Sequence, residues 1–220
     1  MNPGRDLRKS AYIILVFIGL LWWIGVVDAV FHLGLARYGV LPREISGLRG
    51  ILFAPLIHGS WLHLLANTAP LFVLGTAMLY GYPRAARLAL PAIYLLSGIG
   101  VWIFARSNYH IGASGLAYGM MFFVFVIGVL RRDRLSIVLS MIVFFLYGGL
   151  IWGIFPQRQG VSFESHFFGA VSGILMAFML RNRDAPLPEK QYDWEGEDEF
   201  VEQDEEKNDG PGPEYWRNDR

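Results

Sequence analysis

The chain has 220 residues, of which 54% are hydrophobic and only 17% are charged, and this composition excludes an ordinary soluble domain. Residues 1–183 hold fifteen basic and five acidic residues, whereas residues 184–220 hold four and fourteen. The sparse basic residues of the first part lie between long apolar runs, which is typical of membrane flanks and not of a surface that binds nucleic acid. Because the sequence has no cysteine, disulfides, thiol nucleophiles and thiolate metal sites are excluded as well.

Six stretches without charged residues predict six transmembrane helices. A helix needs about 20 apolar residues to cross the hydrocarbon core, and the runs lack the two-residue alternation of barrel strands. The predicted spans cover about residues 10–28, 60–81, 86–105, 113–131, 135–155 and 165–181. The sequence therefore predicts an all-α membrane protein, a six-helix bundle that forms one domain over residues 1–183.

The distribution of basic residues predicts how the bundle is oriented. With the N-terminus in the cytoplasm, ten Lys and Arg residues of the bundle fall on the cytoplasmic side and five on the outer side. Both termini are then cytoplasmic, and spans 2, 4 and 6 begin at the outer surface. Residues 184–220 are too acidic to bury a core, so we expect a disordered cytoplasmic tail that is available to a cytoplasmic partner.

Three polar clusters lie at the beginnings of spans 2, 4 and 6. His63 and Asn67 are one turn apart in span 2, Ser114 and Tyr118 are one turn apart in span 4, and span 6 opens with His166. Polar side chains are costly inside a membrane, so each cluster is a functional hypothesis. Because the three spans begin at the same surface, we expect the clusters to lie at one depth.

Two glycine pairs predict that spans 4 and 6 cross closely. Gly115 with Gly119, and Gly169 with Gly173, form the small-xxx-small pattern that lets helix backbones approach each other. We therefore expect the polar clusters of these two spans to be in contact.

A serine beside a histidine predicts nucleophilic catalysis. A serine hydroxyl becomes a good nucleophile when a base within about 2.6–3.2 Å takes its proton, so Ser114 is the candidate nucleophile and His166 the candidate base. His63, the Asn67 amide and the backbone N–H of Ser114 are candidate oxyanion donors. No carboxylate stands where a third member would be expected, so the sequence predicts a dyad, with Tyr118 placed to stack on the His166 ring.

At these motifs the sequence resembles the rhomboid family of intramembrane serine proteases. The resemblance covers about residues 10–182. It rests on H-x-x-x-N in span 2 (His63, Asn67), G-x-S-G in span 4 (Gly112, Ser114, Gly115) and H-x-x-G-x-x-x-G in span 6 (His166, Gly169, Gly173). His58 matches a loop histidine often present before this second span. Leu48-Arg49-Gly50 stands where a Trp-Arg pair is common in the first outer loop of the family.

The resemblance implies a serine endopeptidase that hydrolyses peptide bonds in or near the transmembrane segments of single-pass membrane proteins. Ser114 would be the nucleophile and His166 the base, His63 and Asn67 would form the oxyanion hole, and Tyr118 would pack against the catalytic histidine. The family uses no metal or cofactor. We expect the protein to lie in the lipid bilayer of a bacterial inner (plasma) membrane, with its active site open to the extracytoplasmic side.

Two other functions fit the same pattern. A rhomboid-like protein without catalytic activity would bind transmembrane segments and not cut them, and a small transporter would use His63 and Asn67 as a polar path. A zinc protease needs H-E-x-x-H and an aspartyl protease needs paired Asp residues in its spans, and the sequence has neither. His32 and His110 match no motif and are interpreted as interfacial or loop residues.

Overall fold

The computed structural model describes residues 5–156 and 162–186. Within them, six helices are long and apolar enough to cross a membrane, which confirms the predicted six-helix transmembrane bundle. The helices are α1 (Leu7–Phe31), the short α2 (Gly50–Phe53), α3 (Trp61–Gly81), α4 (Pro83–Phe104), α5 (Ser114–Arg131), α6 (Arg134–Tyr147) and α7 (Phe163–Leu180). A 3₁₀ segment, Gly148–Ile154, continues α6. Nearly all of the predicted acidic tail lies outside the described residues.

Helix α5 lies at the centre of the bundle. Its buried residues face every direction, as expected for a helix that is apolar all round and surrounded by protein. It packs against α3, α4, α6 and α7. Because α5 begins at Ser114, this candidate nucleophile stands at the end of the most enclosed helix of the bundle.

Helices α5 and α7 are in direct backbone contact. A Cβ atom added at Gly169 would overlap the carbonyl oxygen of Gly115, and one added at Gly173 would overlap that of Gly119. Only glycine therefore allows this separation of the two helices. In α5 the two contacts lie one and five residues after Ser114, and in α7 they lie three and seven residues after His166, so the crossing adjoins both candidate site residues.

The segment between α1 and α3 folds against the loop that follows α4. The Arg43 guanidinium donates to the carbonyl of Ala105 at 2.9 Å, and the Trp102 indole N–H donates to the carbonyl of Glu44 at 2.9 Å. Gly47 and Gly50 let the segment fold back on itself, because a Cβ at either would overlap the backbone of residues 39–41. The segment is thus tied to the bundle without the tryptophan–arginine pair that its sequence lacks.

Asp184, the first residue of the predicted acidic tail, packs against the helical bundle. Its side chain is buried, and its carboxylate accepts hydrogen bonds from the backbone N–H groups of Arg84 and Ala85, both at 2.9 Å. These N–H groups belong to the first turn of α4, which its own N-cap residue, Tyr82, does not cap with a side chain. Asp184 therefore stabilises the start of a helix a hundred residues away.

Candidate active site

Ser114 and His166 form a hydrogen-bonded pair at the start of α5 and α7. The Ser114 hydroxyl oxygen lies 2.9 Å from Nε2 of His166, and Nδ1 of the same ring lies 2.9 Å from the carbonyl oxygen of Gly153. A carbonyl only accepts hydrogen bonds, so Nδ1 carries the proton and Nε2 accepts from the serine hydroxyl. This tautomer is the one that a general base needs to take the serine proton.

The His166 ring is held from two sides. The Tyr118 ring stacks on it with centroids 4.1 Å apart and planes 3° apart. On the side of Nδ1, a Cβ at Gly153 would overlap the Tyr118 hydroxyl, so only glycine lets this carbonyl approach the ring. Sequence reasoning missed Gly153 because a backbone carbonyl leaves no side-chain signature, and its only signal is a glycine within a glycine-rich segment.

His63 lies beside the loop that leads into Ser114. Ser60 caps α3 by accepting a hydrogen bond from the His63 backbone N–H at 3.1 Å. Gly112 has φ +110°, a conformation that favours glycine, and a Cβ there would lie 2.6 Å from the imidazole of His63. The loop before Ser114 therefore passes directly against the His63 ring.

Asn67 occupies a deeper position than His63. Its side chain is buried, and its amide donates to the backbone carbonyl of His63, one turn earlier on the same helix, at 3.0 Å. It is not among the residues that line the cavity beside Ser114. The role of Asn67 in an oxyanion hole stays a prediction, since one of its amide hydrogens is already bonded within α3.

A polar cavity of about 610 Å³ adjoins the pair. Its walls come from the first turns of α3, α5 and α7 and from the loop between α4 and α5. The lining includes Ser60, His63, Arg106, Asn108, Tyr109, His110, Ser114, Ser162 and His166. Such a cavity can hold both water and an extended peptide segment next to the Ser114 hydroxyl. No group of three or more His, Asp or Glu side chains suited to a metal ion occurs among residues 5–156 and 162–186.

His58 holds the loop that precedes Ser114. Its Nε2 atom accepts a hydrogen bond from the backbone N–H of Ala113 at 3.3 Å, and its ring meets the His63 ring edge-on, with centroids 5.0 Å apart. Burial, and after it the neighbouring His63, lower the pKa of His58 to about 4. His58 is therefore neutral at pH 7, as its role as an acceptor requires.

Acid should weaken the protein through His58. The unfolded chain binds a proton at this residue below about pH 6.5, while the folded chain does so only near pH 4, so stability falls as the pH drops through this window. We expect the melting temperature of wild type to fall by several degrees more than that of His58→Gln between pH 7 and pH 4. Glutamine does not titrate and can still accept from Ala113. Thermal unfolding in detergent at both pH values measures the difference, and parallel curves for the two proteins would contradict the assignment.

Comparisons with known proteins support one family. A model of the Rhomboid domain matches residues 46–183, a range that contains every candidate site residue. "Uncharacterized protein Rv1337" of Mycobacterium tuberculosis (strain ATCC 25618 / H37Rv) is 40% identical over 177 residues, which cover 76% of this chain and 73% of the relative. "RHOMBOID-like protein 4" of Arabidopsis thaliana is 30% identical over 152 residues, which cover 64% of this chain and 36% of that protein. "Putative rhomboid protease YdcA" of Bacillus subtilis (strain 168) is 26% identical over 132 residues, which cover 56% of this chain and 63% of that protein.

The resemblance seen in the motifs is thereby confirmed at the level of the family. Together with the six membrane-spanning helices, the match defines an integral membrane protein. The chain belongs to the Rhomboid family.

Proposed function

We propose that this protein is an intramembrane serine endopeptidase that hydrolyses peptide bonds in or near the transmembrane segments of other membrane proteins. One observation carries the proposal: the Ser114 hydroxyl oxygen lies 2.9 Å from Nε2 of His166. Family membership is compatible both with a protease and with a catalytically silent relative. A silent relative has no need of a serine and a histidine in this geometry, and this favours catalysis.

In the proposed reaction the Ser114 oxygen attacks the carbonyl carbon of the substrate peptide bond while its proton passes to Nε2 of His166. The resulting imidazolium keeps its Nδ1 hydrogen bond to Gly153, and Tyr118 holds the plane of the ring. His166 then gives the proton to the leaving amine. A water molecule attacks the acyl-enzyme with His166 again as the base, and this step releases the second product and restores the serine.

The oxyanion of the tetrahedral intermediate needs donors aimed at it. We assign this role to the His63 side chain, the Asn67 amide and the backbone N–H of Ser114, which lies at a helix N-terminus where the helix dipole favours negative charge. His63 lines the cavity beside the serine. For Asn67 to contribute, its second amide hydrogen or a rotation of its side chain has to reach the substrate oxygen.

The setting of the reaction follows from the charge pattern. The excess of basic residues at the opposite end of the bundle favours a site that opens to the extracytoplasmic side, with both termini in the cytoplasm. Bacterial relatives, among them those of mycobacteria, favour a bacterial plasma membrane. The substrates in this proposal are single-pass membrane proteins, whose transmembrane segments reach the cavity from the bilayer.

Covalent labelling tests the proposal most directly. Purified protein in detergent should react with a fluorophosphonate probe at Ser114, the labelled residue being identified by mass spectrometry, and Ser114→Ala should not react. Equal labelling of Ser114→Ala, or no labelling of wild type, would contradict the proposed function. Unlabelled protein that still binds a transmembrane segment would indicate a silent relative, and a solute flux in liposomes that Ser114→Ala leaves unchanged would indicate a transporter.

A further inference from the structure

We propose that four side chains outside the Ser114–His166 pair position its two members relative to each other. These four residues, here called the clamp, are Arg106, His110, Ser162 and Glu164. They join the loop at residues 105–113, which leads into Ser114, to the start of α7, which carries His166. The inference rests on the proposed function, since the geometry that the clamp sets is the geometry of the proposed nucleophile and base.

The first half of the clamp is an ion pair. Glu164 is 6% exposed, and its carboxylate accepts hydrogen bonds from Nε of Arg106 at 2.6 Å and from Nη2 at 3.2 Å. The backbone N–H of Arg106 lies 3.4 Å from the same carboxylate. A forked guanidinium–carboxylate contact fixes direction as well as distance. Because the carboxylate is buried two residues before His166, a shift of α7 away from the loop would leave it unpaired, which is unfavourable.

The second half is a chain of hydrogen bonds through His110. The sequence indicated a loop or interfacial residue; the structure places His110 in the loop, yet only 4% exposed. Its Nε2 lies 2.9 Å from the carbonyl oxygen of Arg106 and its Nδ1 lies 2.6 Å from the hydroxyl of Ser162. Since a carbonyl only accepts, Nε2 carries the proton and Nδ1 accepts from Ser162. The Ser162 oxygen in turn lies 2.7 Å from the hydroxyl of Ser165 and accepts from the Ser165 backbone N–H at 3.2 Å.

All hydrogen bonds in this series have their donors and acceptors in the same order. The Ser165 hydroxyl donates to Ser162, Ser162 donates to His110, and His110 donates to the loop carbonyl. His110 is buried and both serines are partly buried, and each of the three side chains finds a partner of the right kind, which is the condition under which a polar network specifies one arrangement. Alanine at Ser162 or phenylalanine at His110 would interrupt the chain.

The loop side of the clamp is itself anchored. The backbone of His110 pairs with Val40 in both directions, at 3.0 and 2.9 Å, and the backbone N–H of Gly112 donates to Ala54 at 2.8 Å. The loop is therefore tied to the outer segment between α1 and α3. When α7 moves, the loop cannot simply follow it.

The glycine crossing by itself does not prevent α5 and α7 from sliding or rotating against each other, and the clamp opposes both motions. Close backbone contact at Gly115 and Gly169 sets how far apart the helices are, but two smooth surfaces can still slide and rotate against each other. Two tethers on the loop and on the start of α7 oppose both motions. Displacement of a reacting group by about 1 Å lowers a rate by about 100-fold, so such tethers affect catalysis without contact with the reacting atoms.

The clamp residues are positioning residues, because no clamp side chain takes part in the hydrogen bonds that join Ser114, His166 and Gly153. The Ser114 hydroxyl and both ring nitrogens of His166 bond to each other and to Gly153. The test therefore needs a readout that separates position from general stability. The time course of fluorophosphonate labelling supplies one, since it reports both the rate constant and the final labelled fraction.

His110→Phe, which keeps an aromatic ring but removes both ring nitrogens, and Ser162→Ala should each lower the rate constant for labelling of Ser114 by about 10- to 100-fold. The final labelled fraction should stay at its wild-type value. Ser162→Thr keeps the hydroxyl and should restore the rate. Ser172→Ala is the matched control, because this buried hydroxyl donates to the Phe168 carbonyl of its own helix at 2.7 Å and has no other hydrogen bond among residues 5–156 and 162–186. An unchanged rate, or a loss confined to the labelled fraction and the melting temperature, would overturn the proposal.

Amide hydrogen exchange tests the clamp without any chemistry. His110→Phe leaves the cap of α7 by Ser162 in place, so faster exchange in the first turn of α7 would show that the loop restrains the helix. Exchange that rises only within residues 105–113 would overturn the proposal. Hydrogen exchange tests the clamp even if wild type fails to react with the probe. A lack of labelling would refute the proposed function and not the clamp.

Discussion

Replacement of Ser114 or of His166 by alanine should lower the cleavage of a single-pass membrane substrate by roughly 10⁴- to 10⁶-fold. Loss of the serine removes the nucleophile, and loss of the histidine leaves a hydroxyl with no base at 2.9 Å to take its proton. Because the two residues act as a unit, the double variant should be no less active than either single variant. Purified protein in liposomes, with the products separated by gel electrophoresis, measures the rates.

A control is needed because both residues lie near the helix crossing. Ser172→Ala removes a buried hydroxyl from α7, the helix that carries His166, and should cut the substrate at the wild-type rate with a similar melting temperature. Effects of the two single replacements that multiply in the double variant would mean that Ser114 and His166 do not share one catalytic step. Cleavage by Ser114→Ala at more than a small fraction of the wild-type rate would exclude this serine as the nucleophile.

Replacement of Gly169 by alanine should cause the next largest loss, about 100-fold in cleavage rate. The added methyl group would overlap the carbonyl oxygen of Gly115, so α7 has to move away from α5 and carry His166 with it. Overpacking of this kind also destabilises a fold by about 1–3 kcal/mol. The rate of probe labelling and the melting temperature of the purified variant measure the two effects separately.

The chain offers a matched control for this change at Gly19. Within the described part of the chain, a Cβ at Gly19 in α1 would have no atom within 4 Å apart from its own helix backbone and chain neighbours. Gly19→Ala should therefore leave both activity and melting temperature unchanged. Gly173→Ala, which would overlap the carbonyl of Gly119, should resemble Gly169→Ala. If Gly169→Ala cleaves like wild type, the distance between α5 and α7 is not what holds the dyad together.

The local sequence was sufficient to predict most of the architecture. Hydrocarbon requires that every backbone polar group be paired within its own segment, so a long apolar run without charges predicts a helix with little competition from other structures. Because successive spans cross the membrane in opposite directions, spans 2, 4 and 6 begin at the same surface. This placed His63, Ser114 and His166 at one end of the bundle. The structure brings these three residues around one cavity.

Other features of the site depend on residues far apart in the chain. Gly153 contributes a backbone carbonyl, and the residue type does not reveal this role. The carbonyl reaches His166 only because Gly153 packs closely against Tyr118. His110 and Glu164 matched no motif, and each bonds to a side chain more than fifty residues away along the chain. Asn67 fitted a motif, yet its orientation depends on a hydrogen bond within α3 that spacing alone does not reveal.

By itself, then, the amino-acid sequence determined the helical bundle, the family and the chemical identity of the candidate dyad, because apolar length and side-chain type are properties of short segments. Tertiary structure alone decided the tautomer of His166, the network that ties the loop at residues 105–113 to α7, and the capping of α4 by Asp184. These features arise from directional hydrogen bonds between distant segments. Such bonds form only when packing has brought their donors and acceptors within about 3 Å of each other.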